Sequence, residues 1–189
     1  MKSGIRRRSS FVATGSSPVD KPLPGDYGSP QVVNVWDVLG EAYPIGETVL
    51  FIDENGGHHA TATAEVLLDQ GKKVDIITSD LFIGIGIAAI GDLYGSRQRL
   101  LKKGATFRTD VTVEKIEQGK VHIRRNYTNE SEVLKGYDTI VLDMENHVND
   151  GLYYQLKGKV GELFRIGDCV APRNIEMAIY EGRKIGEQI

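Results

Sequence analysis

The 189-residue chain has a formal net charge of −3, with 40% hydrophobic and 26% charged residues. This composition is ordinary for a globular protein, so it excludes a wholly disordered or membrane-embedded chain. The slightly acidic chain has no basic stripe with interleaved aromatic side chains, and we therefore expect neither nucleic acid nor a membrane as a partner.

Cysteine content limits the covalent and metal chemistry within this chain. Cys169 is the single cysteine, which excludes an internal disulfide and any multi-cysteine zinc or iron–sulfur site. A reducing, cytoplasmic location is therefore expected. The longest apolar stretch, residues 81–90, is too short to cross a bilayer, because a spanning helix needs roughly 20 apolar residues.

The first 45 residues predict short, irregular elements that precede the main domain. Residues 1–10 are basic and lack the apolar core of a signal peptide, so we expect a disordered or artificial start, with an arginine-rich transit peptide as the alternative. Residues 11–18 predict a short strand and a small-residue turn. Residues 21–30 hold three prolines and two glycines, which is typical of an extended surface crossing. A domain boundary is expected near residue 45.

Residues 48–78 carry the most informative pattern in the chain. Residues 48–53 form a short apolar run that predicts a buried parallel strand, and residues 74–78 predict a second one. Small and apolar residues at helical spacing predict a helix between them, and Gly71 ends that helix. Together they predict a βαβ unit of about thirty residues. The fold class expected from it is α/β, a Rossmann-like parallel sheet flanked by helices.

The βαβ unit is where a dinucleotide-binding fold carries its G-x-G-x-x-G fingerprint, whose glycines let the backbone and a helix N-terminus approach a pyrophosphate. Asn55, Gly57 and Ala60 occupy the three positions, so only the middle glycine is present. The acidic residue that normally holds the ribose is replaced by Thr78, with Asp80 two residues later. The pattern therefore supports the fold and gives little support to bound NAD(P)H.

The rest of the chain predicts an added antiparallel β segment and a return to the parallel sheet. A helix over residues 93–103 is followed by short alternating runs between residues 105 and 134, which predict antiparallel strands. Residues 137–142 predict another buried parallel strand. Residues 163–166 predict the last strand, and a final helix is expected to have Pro172 in its first turn.

The order of these landmarks resembles a known family. The turn at residues 13–15, the Pro24-Gly25 crossing, the central βαβ unit and the ending Gly167-Asp168-Cys169 resemble the two-dinucleotide-domain flavoprotein disulfide reductase fold. More narrowly, the chain resembles the C-terminal part of the trimethylamine dehydrogenase and 2,4-dienoyl-CoA reductase group of Old Yellow Enzyme-related flavin oxidoreductases. Residues 164–186 carry the most specific match.

The resemblance implies a division into domains. Residues 46–150 resemble an inserted NAD(P)-binding-like domain, and residues 11–45 with 155–189 resemble the remnant of a split FAD- or ADP-binding domain. The family's TIM barrel with its FMN, and its iron–sulfur cluster, would belong to parts outside this chain. The barrel domain, or a chain that carries it, is then an expected partner, and the chain alone is expected to be inactive.

The resemblance also implies cofactor-binding positions. Thr14 and Gly15 in the first turn match FAD- or ADP-binding positions of the family, as do Gly167 and Asp168 after the last strand. In FAD-containing relatives the aspartate accepts a hydrogen bond from the ribityl chain. No catalytic residue and no metal ligand is expected.

In the inserted domain, the resemblance makes Asn55, Gly57 and Ala60 the NAD(P)-binding positions. A second small Ala-Thr-Gly turn would be expected after residue 142. Asp143 and Glu145 stand there instead. Charged residues where a backbone must approach a cofactor argue against tight NAD(P)H binding.

Several polar residues have two interpretations. His58 and His59 are either metal ligands or polar residues at a helix start. Cys169 is either a redox thiol at a helix N-terminus or a packed core residue. Asp168 either serves a cofactor or caps the last helix or the turn before it. Asp53 either lies near a ribose or is a solvated loop carboxylate.

One function is expected first, and two alternatives stay open. The first is the nucleotide-binding-like part of a flavin-dependent oxidoreductase, with an ADP or FAD site. The second is an NAD(P)H-binding reductase module that passes hydride to a flavin held by another chain. The third is a non-catalytic scaffold that docks a barrel domain or forms oligomers. An unfilled half of the split domain would expose apolar surface, so we also expect self-association into a homo-oligomer.

Overall fold

The computed structural model describes residues 9–29 and 31–188. They divide into two compact units. The larger unit runs from Asp20 to Met144, and the smaller unit joins the residues up to Val19 with those from Glu145 onwards. Most of the predicted start, residues 1–8, lies outside the described residues.

The described residues form twelve strands and five α-helices. The strands are β1 (Ser9–Val12), β2 (Ser16–Pro18), β3 (Gln31–Asn34), β4 (Thr48–Asp53), β5 (Lys73–Ile77), β6 (Thr106–Arg108), β7 (Val111–Glu117), β8 (Lys120–Arg125), β9 (Ser131–Leu134), β10 (Thr139–Asp143), β11 (Asn146–Val148) and β12 (Glu162–Arg165). The helices are α1 (Val35–Leu39), α2 (His58–Asp69), α3 (Leu93–Lys102), α4 (Gly151–Leu156) and α5 (Ile175–Gly186). Two 3₁₀ turns lie at Ile85–Ile87 and Gly167–Cys169.

A five-stranded parallel sheet in the order β3-β10-β4-β5-β6 forms the centre of the larger unit. Both faces of this sheet are covered, and the sequence of β4 is therefore apolar at successive positions instead of alternating. Val49 and Phe51 pack with residues of α1, α2 and α3, whereas Leu50 and Ile52 pack with the antiparallel sheet β7-β8-β9. The predicted Rossmann-like α/β fold with an added antiparallel segment is confirmed.

The predicted helix of the βαβ unit is confirmed as α2. It begins at His58 after Gly57, and Gly71 follows its end with a φ of +82°, a conformation that glycine adopts without strain. Ala64 and Leu67 on its apolar face are fully buried. Burial of a leucine side chain of this kind stabilises a fold by about 1.5–3 kcal/mol, so this face anchors the helix on the sheet.

The sheet includes a strand that lies before the boundary predicted near residue 45. β3 pairs in parallel with β10, and α1 follows it with Asn34 as the N-cap. The side chain of Asn34 accepts hydrogen bonds from the backbone N–H groups of Trp36 and Asp37. The predicted boundary therefore lies inside the larger unit, because the apolar Val32-Val33 pair forms a strand of its sheet. The assignment of the units to a split FAD domain and an inserted domain stays a prediction.

The smaller unit contains a parallel pair, β1 and β12, and an antiparallel pair, β2 and β11. Helix α5 begins at Ile175, and the side chain of Asn174 caps it by accepting a hydrogen bond from the backbone N–H of Met177 at 3.0 Å. The prediction that Pro172 lies in the first turn is wrong, because this asparagine cap sets the start later. Ile175 and Ile179 are 72% and 65% exposed.

No helix within residues 9–29 and 31–188 is both long enough and apolar enough to cross a membrane. The predicted cytoplasmic location stays a prediction.

Candidate nucleotide-binding sites

Two buried carboxylates lie side by side where β4 and β10 end. Asp53 and Asp143 are register partners of the parallel pair, so their side chains project from the same face of the sheet. Phe51 and Val141, two residues earlier on each strand, face the helices, and Asp53 and Asp143 therefore project toward the helical layer. Their exposed fractions are 0% and 3%.

The Asp53 carboxylate is held by the loop that follows its own strand. Its Oδ1 accepts a hydrogen bond from the backbone N–H of Gly56 at 2.7 Å, whereas Oδ2 has no hydrogen-bond partner among the described residues. Burial, with the nearby charges of Asp143 and Asp80, raises the pKa of Asp53 to about 7. The interpretation of Asp53 as a solvated loop carboxylate is wrong, because the side chain is fully buried.

Asp143 lies at the first turn of α2. Its Oδ1 accepts a hydrogen bond from Asn55 Nδ2 at 2.8 Å. Burial raises the pKa of Asp143, and the Asn55 hydrogen bond, the charge of His59 and the backbone N–H of Ala60 oppose that rise. The structure thus brings two predicted cofactor-binding residues, Asn55 and Ala60, to a carboxylate of the same chain.

The glycine that the tight turn requires is Gly56, which the fingerprint alignment missed. Its φ is +62°, and an added Cβ would lie 2.7 Å from Ile85 Cγ2. The predicted position, Gly57, has a φ of −95° and, within the described part of the chain, no atom within 4 Å of an added Cβ. The Asn55-Gly56 dipeptide is a common turn signal and is the pattern that could have identified it.

Further acidic residues lie along the same edge of the sheet. Glu54 accepts a hydrogen bond from Ser79 Oγ at 2.6 Å, and burial raises its pKa. Thr78, at the predicted ribose position, is buried, and its Oγ1 accepts a hydrogen bond from the backbone N–H of Asp80 at 3.2 Å. This edge of the sheet is therefore strongly acidic.

In the smaller unit, the predicted residues cluster around Asp168. Ser16 Oγ donates a hydrogen bond to Asp168 Oδ2 at 3.3 Å, and the backbone N–H of Arg173 donates to Oδ1 at 3.4 Å. Ser16 directly follows Thr14 and Gly15 in the chain, so these contacts bring the first turn beside the Gly167-Asp168 pair.

The same cluster keeps room for a ligand hydroxyl. Gly15 has a φ of +74°, and an added Cβ would meet no atom of the described residues within 4 Å. The two hydrogen bonds of Asp168 are long, so its carboxylate retains capacity to accept from a ribose or ribityl hydroxyl. The Gly167 amide already donates to the Glu181 carboxylate at 2.7 Å, and the Thr14 hydroxyl donates to the Asn149 carbonyl. The residues fit a sugar hydroxyl better than a phosphate.

Cys169 and the His58-His59 pair were the other candidates for redox or metal chemistry. The Cys169 thiol is fully buried and donates to the Val12 carbonyl at 3.0 Å, which agrees with the packed interpretation. His58 Nε2 lies 3.0 Å from Asp92 Oδ2. The described residues contain no group of three or more metal-binding side chains.

Comparisons with known proteins place the chain among flavin oxidoreductases, although no protein-family model matches it. The chain is 30% identical over 210 residues to a probable N-methylproline demethylase of Rhizobium meliloti (strain 1021), in a match that covers 95% of this chain and 30% of that protein. It is 26% identical over 214 residues to an N,N-dimethylglycine/sarcosine dehydrogenase of Chromohalobacter salexigens, covering 92% of this chain and 30% of that protein.

A solved structure of histamine dehydrogenase from Rhizobium sp. 4-9 matches with a TM-score of 0.87 and 24% identity, over 95% of this chain and 30% of that one. The chain thus spans about 30% of the length of the curated relatives named above. The resemblance predicted from the sequence is confirmed: the chain is similar to the C-terminal part of the trimethylamine dehydrogenase-like flavin oxidoreductases.

Proposed function

We propose that this chain is the nucleotide-binding-like part of a flavin-dependent amine oxidoreductase and supplies no catalytic group itself. The relatives named above are a demethylase and dehydrogenases of amines, and N-methylated amines are therefore the proposed substrate class of the whole protein. FMN and an iron–sulfur cluster would be held by other parts of that protein. The nucleotide proposed for this part is FAD or ADP.

The observation that carries the proposal is the position of Asp168. It follows a glycine with positive φ at the end of β12 and lies within hydrogen-bond distance of Ser16. A carboxylate at the end of a parallel strand is suited to accept from a sugar hydroxyl, and the Gly15 turn beside it leaves space for the ligand. Thr14 and Gly167 would position this turn and the strand end.

Calorimetric titration with ADP, FAD, NADH and NADPH tests the proposal. We expect ADP or FAD to bind, and D168A to weaken that binding about tenfold or more, because a charge-assisted hydrogen bond contributes about 1.5–3 kcal/mol. E176Q, which removes another charge in the same unit, is the matched control and should leave the affinity unchanged. Circular dichroism checks that both variants fold.

The alternative functions give different results in the same titration. Submicromolar NADH binding would favour the NAD(P)H reductase module and contradict the proposal. Absence of binding to all four ligands would favour the non-catalytic scaffold.

The proposed partner is a barrel domain, on a longer protein or another chain, or a second copy of this chain. The smaller unit supports such a partner. Its strands β1 and β12 form a parallel sheet of only two strands, whereas parallel sheets are normally larger and covered on both faces, so a partner could complete and cover this sheet. Ile175, Ile179 and Tyr180 expose an apolar strip on α5. Multi-angle light scattering of the purified chain should detect a dimer or larger species. A strictly monomeric chain would contradict self-association.

A further inference from the structure

We infer that Asp143 occupies the anion position at the N-terminus of α2, so that one of the chain's own side chains closes the larger unit to the phosphates of NAD(P)H. In a dinucleotide-binding fold, the pyrophosphate lies at the N-terminus of the helix between the first two strands of the βαβ unit. This inference concerns a different unit from the proposed FAD or ADP site and does not depend on it.

The N-terminus of α2 is a site that favours an anion. The helix spans His58–Asp69, long enough for its aligned peptide dipoles to place partial positive charge at its start. Its first backbone N–H groups have no partner within the helix itself, as in every α-helix. In the dinucleotide fold these groups receive a phosphate, and an anion from another source would satisfy them equally well.

Asp143 supplies that anion. The backbone N–H of Ala60 and the charge of His59, both in the first turn of α2, favour its ionised form. Asn55 donates to Asp143 Oδ1 at 2.8 Å from the loop that precedes the helix. Asn55 and Ala60 are two of the three fingerprint positions, so the residues that would surround a pyrophosphate surround a carboxylate.

The backbone that carries Asp143 is fixed in place by hydrogen bonds from the loop after β4. The N–H of Glu54 donates to the Asp143 carbonyl at 2.9 Å, and Asn55 Nδ2 also donates to the Met144 carbonyl at 2.8 Å. These bonds tie the loop after β4 to the end of β10. Asp143 is 3% exposed, and its Oδ2 is one of the buried polar atoms without a partner in the described parts of the chain.

The acidic residues around Asp143 also oppose the binding of a phosphate. Asp53 lies beside Asp143, and Glu54 and Asp80 lie at the same edge of the sheet. A pyrophosphate would have to displace one buried carboxylate and then approach several more. NAD(P)H phosphates therefore do not fit this site, although the βαβ fold that normally binds them is complete.

Removal of the carboxylate should open the site to phosphate. The probes are inorganic phosphate and NADPH, with sodium chloride at equal ionic strength as the reference, and the readouts are the shift in melting temperature and the dissociation constant. We expect no saturable binding to the larger unit of the wild-type chain. D143A should bind both probes at least tenfold more tightly than wild type, and D143N should show a smaller gain because its amide removes the charge and retains the bulk.

D53N is the matched control. At pH 8, where Asp53 is ionised, it removes an equal charge from the adjacent strand end. The Asp53 side chain is held by the Gly56 N–H and not by the helix N-terminus, so the gain seen in D143A should be absent. Titrations repeated in the D168A background should give the same result, which separates this site from the one in the smaller unit. The inference is overturned if folded D143A and D143N gain no affinity, if wild type binds as tightly as D143A, or if D53N gains as much.

Discussion

Asp53 and Asp143 are direct cross-strand neighbours, and both bury an oxygen that has no hydrogen-bond partner among the residues described. Two carboxylates on the same face of a sheet repel each other when both are ionised. Asp143 has an amide donor and a helix N-terminus to stabilise its charge. Asp53 is the more deeply buried of the two and has only the backbone N–H groups of Gly56 and Asn55 to stabilise its charge, and it is therefore the member of the pair that keeps its proton up to about pH 7.

The raised pKa of Asp53 should make the free energy of unfolding depend on pH. The pKa of Asp53 is raised from 3.8 to about 7 in the folded chain, so the folded state holds the proton between these values while the unfolded state has lost it. The free energy of unfolding should fall as the pH rises from about 4 to 7, by at most about 1.4 kcal/mol per pH unit, and then level off. Urea unfolding at a series of pH values between about 4 and 8.5 measures this change in the free energy of unfolding.

D53N should remove this contribution and raise the free energy of unfolding at pH 8 by about 2 kcal/mol, because the folded state no longer holds a buried charge. Its amide oxygen can still accept the Gly56 hydrogen bond. D26N, which changes an exposed carboxylate in the same unit, is the control and should follow the wild-type curve. An unchanged pH profile in D53N would show that Asp53 titrates normally.

The two adjacent glycines before α2 should tolerate alanine differently. G56A should lower the free energy of unfolding by about 1–3 kcal/mol, because alanine at a φ of +62° is strained and its Cβ would contact the Ile85 side chain. G57A keeps an ordinary φ of −95° and should cost only about 0.5 kcal/mol, for a poorer helix N-cap. Equal losses in the two variants would contradict this assignment of the turn glycine.

The local parts of this fold were predictable from the sequence. The period of α2 and the apolar runs of β4 and β10 identify a parallel sheet without any knowledge of pairing. The apposition of Asp53 and Asp143 was not predictable, because it depends on the register of strands about ninety residues apart. Single-sequence patterns contain no information on register between distant strands.

The differences between the predicted and the observed starts of β3 and α5 have local physical causes. β3 is only four residues long and follows a segment rich in proline and glycine, so its place in the sheet became visible only through its pairing with β10. Pro172 and Asn174 are both good helix-start residues, and the sequence alone did not decide between them. The predicted site residues of the smaller unit cluster around Asp168, but Glu181, which binds the Gly167 amide, carried no motif signal.

Asn55 should contribute more to stability than an ordinary loop residue. N55A removes two hydrogen bonds, to Asp143 Oδ1 and the Met144 carbonyl, and leaves a buried carboxylate with less compensation. The free energy of unfolding should fall by about 1–3 kcal/mol. Q98A on α3 is the control and should be within about 0.5 kcal/mol of wild type, since it changes an exposed side chain. A loss in N55A no larger than in Q98A would contradict the role of Asn55.

Cys169 should react slowly with thiol reagents in the native chain. The thiol is fully buried and donates to the Val12 carbonyl, so reaction requires opening of the smaller unit. With monobromobimane, the native chain should react on the order of a hundredfold more slowly than the chain in guanidinium chloride. Rapid native labelling would instead support an accessible redox thiol.

An internal strand of the five-stranded sheet, β10, is also the last of its strands to be synthesised. β10 lies between β3 and β4, and the 104 residues from 35 to 138 separate it from the end of β3. Until Thr139 and the residues after it leave the ribosome, the apolar edges of β3 and β4 are open to strands of other nascent chains. Translation that stalls before this point should yield insoluble product, and chaperone demand should fall once Asp143 has emerged.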